Sequence, residues 1–219
     1  MPLICLVRHG QASFGADDYD VLSDLGREQA RSVGEELRRR GLRDPLVVSG
    51  RLRRQRDTAA LLTEAAGFGP VAGPDARLDE YDHLDLLERF PADAGDEAAG
   101  GSGSRQVQRL LDGALRSWIT AGNADGWPAF SAGALAAVRD LAAGLGSGRD
   151  AVAVSSGGVI AAVVAGLLGA PADGVVALNR AAVNVGVTSL AAGGSGLSLL
   201  AFNDHAHVTG DRRHLLTYR

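Results

Sequence analysis

Residues 151–169 read AVAVSSGGVIAAVVAGLLG, an apolar run broken by Ser155-Ser156-Gly157-Gly158. No other stretch restricts the fold as much. About 18 or more apolar residues suffice to cross a bilayer, so a membrane span is one reading. The other is a buried strand, a tight turn and a buried helix, and it is favoured. Val152 and Val154 suit a strand, the glycines suit a sharp turn, and Ile160 to Leu168 has the length of a short helix. Amides exposed at a helix start attract anions, so the turn also suggests a phosphate site. Glycine turns from strand to helix are equally common as plain connectors.

The flanking sequence extends this pattern. Leu3 to Val7 reads as a first strand. Leu25, Ala30, Val33, Gly34 and Leu37 share a helical face, with Ser23 or Asp24 as the cap. Gly41 and Pro45 end that helix, and Leu46-Val47-Val48 makes a second strand. Arg51 to Ala66 is a helix closed by Gly67, and Val71 to Leu78 a weaker strand. Pro91 to Ser104 (PADAGDEAAGGSGS) has nothing to bury and reads as a loop. Gln106 to Thr120 and Gly133 to Leu145 are helices. Val183 to Ala191 and Leu197 to Phe202 are strands paired around Gly193-Gly194-Ser195-Gly196. Strands alternating with helices imply a three-layer α/β/α sandwich around a mostly parallel, mixed sheet of about six strands. At 219 residues this is one domain over 1–219, with an insertion at about 84–130 above one end of the sheet.

Composition narrows the function classes. A chain that is 46% hydrophobic and 22% charged is ordinary for a globular protein. Net charge is −4, so no global field favours nucleic acid, although Arg51 to Arg56 supplies a local cationic cluster. The apolar start MPLICLV is too short for a signal peptide, and Arg8 follows at once. The one cysteine, Cys5, excludes an internal disulfide framework. A cytoplasmic location is expected, with no membrane association.

In a sheet of this kind ligands gather at the carboxyl ends of the strands. The first strand ends in Arg8-His9-Gly10. The second leads through Ser49-Gly50 to Arg54, the weaker third delivers Asp79-Glu80, and the fourth ends in the serine–glycine turn. Two arginines, one imidazole, one carboxyl and a turn rich in amides suit phosphoryl transfer. Guanidinium forks grip phosphate oxygens, a neutral imidazole attacks phosphorus, and a protonated carboxyl serves the leaving oxygen. The plain alternatives stand beside this: a histidine after a strand is often structural, and arginines at a helix start are often only solvated.

The segments LVRHGQASFG, LSDLGREQA, SGRLRRQRDTA, LDEYDHL and VSSGGVIAA resemble, in this order, the histidine phosphatase superfamily of phosphoglycerate mutase-like proteins. The resemblance runs from Leu3 to about His207 and implies that fold. It implies that His9 is the nucleophile, that Arg8 and Arg54 bind phosphate, and that Glu80 is the proton donor, with Asp79 and Asp82 as weaker choices. Gly10, Gln11 and Ser13 are implied to line the same loop, and Leu22-Ser23 with Gly26 to edge the phosphate pocket. Asn184, Asn203 and His207 resemble C-terminal strand positions.

Two positions depart from the family. Ser156 before Gly157 stands where most members have a second histidine, and Gly15 where many have asparagine. A branch of the family carries this Ser-Gly-Gly turn. A hydroxyl brings no charge, and losing a charge-assisted contact costs about 1.5–3 kcal/mol, roughly ten- to a hundredfold in rate. His83, His205, His207 and His214 are candidates to supply it, and His83 is the best placed because Glu80 is near. Phe14, Tyr81, Trp118 and Trp127 are candidates for the substrate wall. The expected function is a metal-independent phosphatase for a small phosphorylated substrate, working through phospho-His9 with no cofactor and no metal. The alternatives are a non-catalytic phospho-ligand binder, motivated by Ser156, and a phosphoglycerate mutase. A homo-oligomer is compatible with the sequence.

Overall fold

The computed structural model describes residues 1–13, 20–91, 104–146 and 148–218. Their fold is built on five strands: β1 (Leu3–Arg8), β2 (Leu46–Ser49), β3 (Ala151–Ser155), β4 (Val187–Gly193) and β5 (Gly196–Asp204), ordered β2-β3-β1-β4-β5. β2, β3 and β1 run parallel, and β4 and β5 return antiparallel as a hairpin. Helices α1 (Asp24–Arg39) and α2 (Arg53–Ala66) follow β1 and β2. Next come α3 (His83–Arg89), α4 (Ser104–Ala121) and α5 (Trp127–Gly144), before β3. After β3 lie α6 (Gly157–Leu168) and α7 (Ala172–Ala181).

The strand alternation sorts the core into two layers, because successive side chains point to opposite faces of a sheet. Cys5, Val7, Val152 and Val154 meet Val33, Leu37, Ala59 and Leu62 of α1 and α2. Ile4, Leu6, Ala151 and Ala153 belong to the other layer, with α5, α6 and α7. The alternation of alanine and valine in β3 thus gives a small face to the second layer and a branched one to the first. Residues Gly157 to Ala165 of α6 are all buried, as expected for a helix that is apolar all round. No helix among the described residues is long and apolar enough to cross a membrane.

The structure corrects several expected boundaries. The sheet has five strands, not six, because Val71 to Leu78 is not a strand. That segment donates only Ala72 N–H to Val47 and Asp75 N–H to Ser49, then closes in a 3₁₀ turn over Ala76–Leu78. Pro70 and Pro74 offer no N–H to a ladder, which explains the failure. The strand expected from Val183 begins at Val187, since Val185 sits at φ 55° in a turn closed by Gly186 N–H to Val183. Helix α2 starts at Arg53 and α5 at Trp127, and α7 was not expected. Residues 92–103 of the expected loop, together with Phe14 and Gly15, lie outside the described residues.

One buried carboxylate pins the amino-terminal end of the parallel strands. Asp150 accepts hydrogen bonds from Leu3 N–H and Arg43 N–H, both at 2.8 Å, and from the Arg43 guanidinium. Asp150→Ala leaves two backbone N–H groups without acceptors. Stability is expected to drop by about 2–4 kcal/mol. The check is a lowered urea midpoint at unchanged m-value.

Candidate active site

Parallel pairing sets three strand ends side by side: Arg8 is in register with Ser155, and Ser49 with Val154. The chain past each end therefore leaves the sheet at the same end. His9 N–H donates to Ser155 O at 2.9 Å, and Asn184 Nδ2 donates to His9 O at 2.9 Å, so the backbone on either side of the ring is fixed. Thr217 Oγ1 in turn donates to Asn184, and Gln29 donates to Thr217 and Leu215 O.

The ring of His9 is buried and its tautomer follows from its partners. Its Nδ1 lies 2.7 Å from Gly10 O, which can only accept. Arg54 Nε, which can only donate, lies 3.1 Å from Nε2. The proton is thus on Nδ1 and the lone pair on Nε2. Burial, then the charges of Arg8 and Arg54, hold the imidazole pKa well below its usual value, so the ring stays neutral.

Gly10 is required by close approach. Its N–H donates to Thr58 Oγ1 at 3.0 Å, and Thr58 Oγ1 donates to Arg54 O at 2.7 Å. A Cβ on Gly10 would strike the Gly26 carbonyl. The loop after His9, the start of α1 and the start of α2 are locked together by these contacts.

Arg8 reaches away from the strand and donates through Nη1 to Ala182 O and, at 2.9 Å, to Tyr218 O. Arg54, on the first turn of α2, also pairs with Asp20 at 2.7 Å. Glu80 follows the 3₁₀ turn, and its Oε2 accepts Gly158 N–H at 3.1 Å. Its Oε1 is closed from solvent and has no hydrogen-bond partner among the described residues. Burial pushes the Glu80 pKa up, and the opposing Gly158 amide, Arg54 and Arg8 do not cancel it. A carboxyl with a raised pKa thus lies within reach of the charges of Arg54 and Arg8.

The neighbouring carboxylates have other work. Asp79 pairs with Arg51 at 2.7 Å, and Asp82 caps α3 through Leu84 N–H and Asp85 N–H. A Cβ on Gly158 would overlap both Glu80 Oε1 and the Tyr81 ring. Gly158→Ala must therefore displace the carboxyl. A loss of about ten- to a hundredfold in kcat is expected, equal to roughly 1.4–2.7 kcal/mol of barrier, with thermal unfolding recorded on the same protein.

The remaining candidates fall in different places. Ser156 is fully buried at the N-terminus of α6, where its Oγ accepts from Gln55 Nε2 at 2.9 Å. Gln55 Nε2 also donates to Leu78 O, as does Ser155 Oγ. Gly157 packs beside Arg8 and Asn179. Gln11 and Ser23 bond to each other, Ser23 Oγ donating to Gln11 Oε1 at 3.0 Å, and Ser23 caps α1 at Gly26 N–H. Ser13 N–H donates to Val21 O.

His83 opens α3 on the surface beside Asp82. His205 bonds to Asn203 O and His214 to Glu28, while His207 lies near Glu36, Arg40 and Asp204. Tyr81, Trp118, Trp127 and Phe130 form one cluster of edge-to-face and tilted ring pairs with centroids 5.3–5.7 Å apart. No three His, Cys, Asp or Glu among the described residues are grouped to hold a metal ion.

Sequence reasoning does not single out Asp20, Gln55 or Thr58. The available signal was polar residues on the inward face of α2, where Gln55, Thr58 and Leu62 are buried together.

The likeness to known proteins agrees with this geometry. A glucosyl-3-phosphoglycerate phosphatase of Mycolicibacterium vanbaalenii is 36% identical over 183 residues, covering 78% of this chain and 76% of that one. A 2,3-bisphosphoglycerate-dependent phosphoglycerate mutase of a Chelativorans strain is 32% identical over 90 residues, covering 38% of this chain and 44% of that one. The structure of a mycobacterial glucosyl-3-phosphoglycerate phosphatase complexed with VO3 superposes with a TM-score of 0.63 at 27% identity, over 94% of this chain and all of that one. Residues 4–205 match the family described as the histidine phosphatase superfamily (branch 1), and the chain belongs to it.

Proposed function

We propose that the protein is a phosphatase that hydrolyses a small phosphomonoester through a phosphohistidine on His9. The observation that carries this reading is the pair of hydrogen bonds on one ring, Nδ1 to Gly10 O and Arg54 Nε to Nε2. They present a lone pair where a guanidinium waits.

In the first step Nε2 attacks phosphorus and the P–O bond to the leaving alcohol breaks. Glu80 gives its proton to the departing oxygen. The proton on Nδ1 stays there, donated in a hydrogen bond to Gly10 O, and Arg8 and Arg54 balance the charge on the phosphoryl oxygens. In the second step water attacks phosphorus, the Glu80 carboxylate takes its proton, and the P–N electron pair returns to Nε2. Inorganic phosphate leaves and both groups are restored.

The named activity of the Mycolicibacterium relative puts glucosyl-3-phosphoglycerate first on a substrate panel. Sugar phosphates, phosphoglycerates and phosphoamino acids complete it. Alkaline quenching during turnover of a phosphorus-labelled substrate is expected to trap an acid-labile label on the peptide containing His9. Steady turnover with that peptide never labelled rules the phosphohistidine route out.

A further inference from the structure

We propose that Asp20 is a positioning residue for Arg54, holding its guanidinium against the Nε2 edge of His9. This rests on the phosphohistidine reading above. Asp20 precedes α1 in the chain, and its carboxylate reaches forward to the start of α2. Oδ1 accepts from Arg54 Nη1 at 2.7 Å, and Oδ2 from Arg53 N–H at 2.6 Å. Oδ1 also lies 3.4 Å from Arg54 N–H.

The need for an anion here is local. The first turn of α2 carries Arg53, Arg54 and Arg56, and no acidic residue. Leu52, the residue before it, has no polar side chain to receive the first amides. A helix start leaves such N–H groups without intrahelical partners and favours negative charge beside them. Asp20 meets the amides and the Arg54 side chain with one carboxylate, so the helix end and the guanidinium are fixed together.

The fork geometry decides between two roles for that carboxylate. Asp20 takes an Nη1 hydrogen, whereas His9 takes the Nε hydrogen of the same rigid plane. A phosphoryl group arriving at Nε2 of His9 therefore displaces the contact to Nε and leaves the Asp20 contact in place. Asp20 acts as the fixed hinge of the guanidinium and not as an anion that substrate must evict. An arginine held at one corner presents its remaining N–H groups in a set direction, as bidentate recognition requires.

The test compares the full-length wild-type protein with Asp20→Ala, Asp20→Asn and Asp20→Glu. Inorganic phosphate is titrated by calorimetry, and kcat and KM are measured on the best panel substrate. Asp20→Ala is expected to weaken phosphate binding about tenfold and to lower kcat about tenfold, with Asp20→Asn intermediate and Asp20→Glu partly restored. Asp20→Asn is isosteric and serves if the alanine variant fails to fold. In an Arg54→Ala background the Asp20 change is expected to have no further effect on kcat/KM. Phosphate binding equal to or tighter than wild type in Asp20→Ala overturns the proposal, as does an undiminished loss in the Arg54→Ala background. A lower unfolding temperature with unchanged kcat and KM also overturns it, since that is a purely structural role. A wild-type protein that binds no phosphate and forms no phosphohistidine removes the underlying reading instead, before any Asp20 variant is made.

Discussion

Turnover by the His9→Ala protein is expected to fall by about 10⁴-fold or more, about 5.5 kcal/mol of barrier. The substitution removes the Nε2 lone pair that forms the bond to phosphorus in the proposed route, and with it the group that Arg54 Nε meets. Arg8 and Arg54 both remain, so binding of inorganic phosphate is expected to change by only a few-fold. That split, chemistry lost and anion binding kept, separates a nucleophile from a residue that merely shapes the pocket. Steady-state kinetics and phosphate titration on the same preparation provide the check. Intact turnover in this variant would falsify the assignment of His9.

Glu80→Gln is expected to cost about 10²- to 10⁴-fold in kcat for alkyl phosphates, the range of general-acid catalysis. An activated aryl phosphate, whose leaving group departs without a proton, should lose far less. The pH dependence follows from the two shifts. His9 must be neutral, and its lowered pKa places the acid limb of kcat/KM well below pH 6.5. Glu80 must be protonated, and its raised pKa sets the alkaline limb above pH 4.5. Glu80→Gln should abolish only the alkaline limb.

Stability moves the other way. Because the folded pKa of Glu80 lies above its unfolded value, unfolding releases a proton once pH passes about 4.5, and the native state is penalised as pH rises through the folded value. Glu80→Gln is therefore expected to raise the thermal midpoint at neutral pH and to leave it unchanged in acid. Equal effects at both pH values contradict the buried, protonated carboxyl.

The frame of the molecule could be read from its apolar periodicity. β1, β3 and α6 lie where buried runs of the right length fall, and Arg8-His9-Gly10 is at a strand end because the run stops there. The sixth strand failed on Pro70 and Pro74, whose missing N–H groups outweigh the apolar pattern around them. Helix α7 hides in a short segment interrupted by Gly174 and Asn179. The choice among Asp79, Glu80 and Asp82 could not be made from spacing, because it depends on which partner each carboxyl meets: Arg51, the Gly158 amide or the start of α3. Ser156 shows the same limit. The resemblance implies a phosphate contact at this position, yet its hydroxyl meets Gln55, 101 positions away. Chain order carries no record of which way such a side chain turns.

The link between Gln55 and Ser156 also bears on which substitutions at these two positions are open to the chain. An imidazole at 156 needs the space and the hydrogen bonds that Gln55 now holds, so that single change meets a filled site. Shortening Gln55 first takes the donor from the Ser156 hydroxyl and leaves Leu78 O with Ser155 Oγ alone, at about 1–3 kcal/mol. Either order of mutation passes through a poorer protein. The two positions are expected to show sign epistasis, with Ser156→His harmful alone and tolerated only beside a smaller residue at 55. From this pair, a histidine at 156 has few single-step routes.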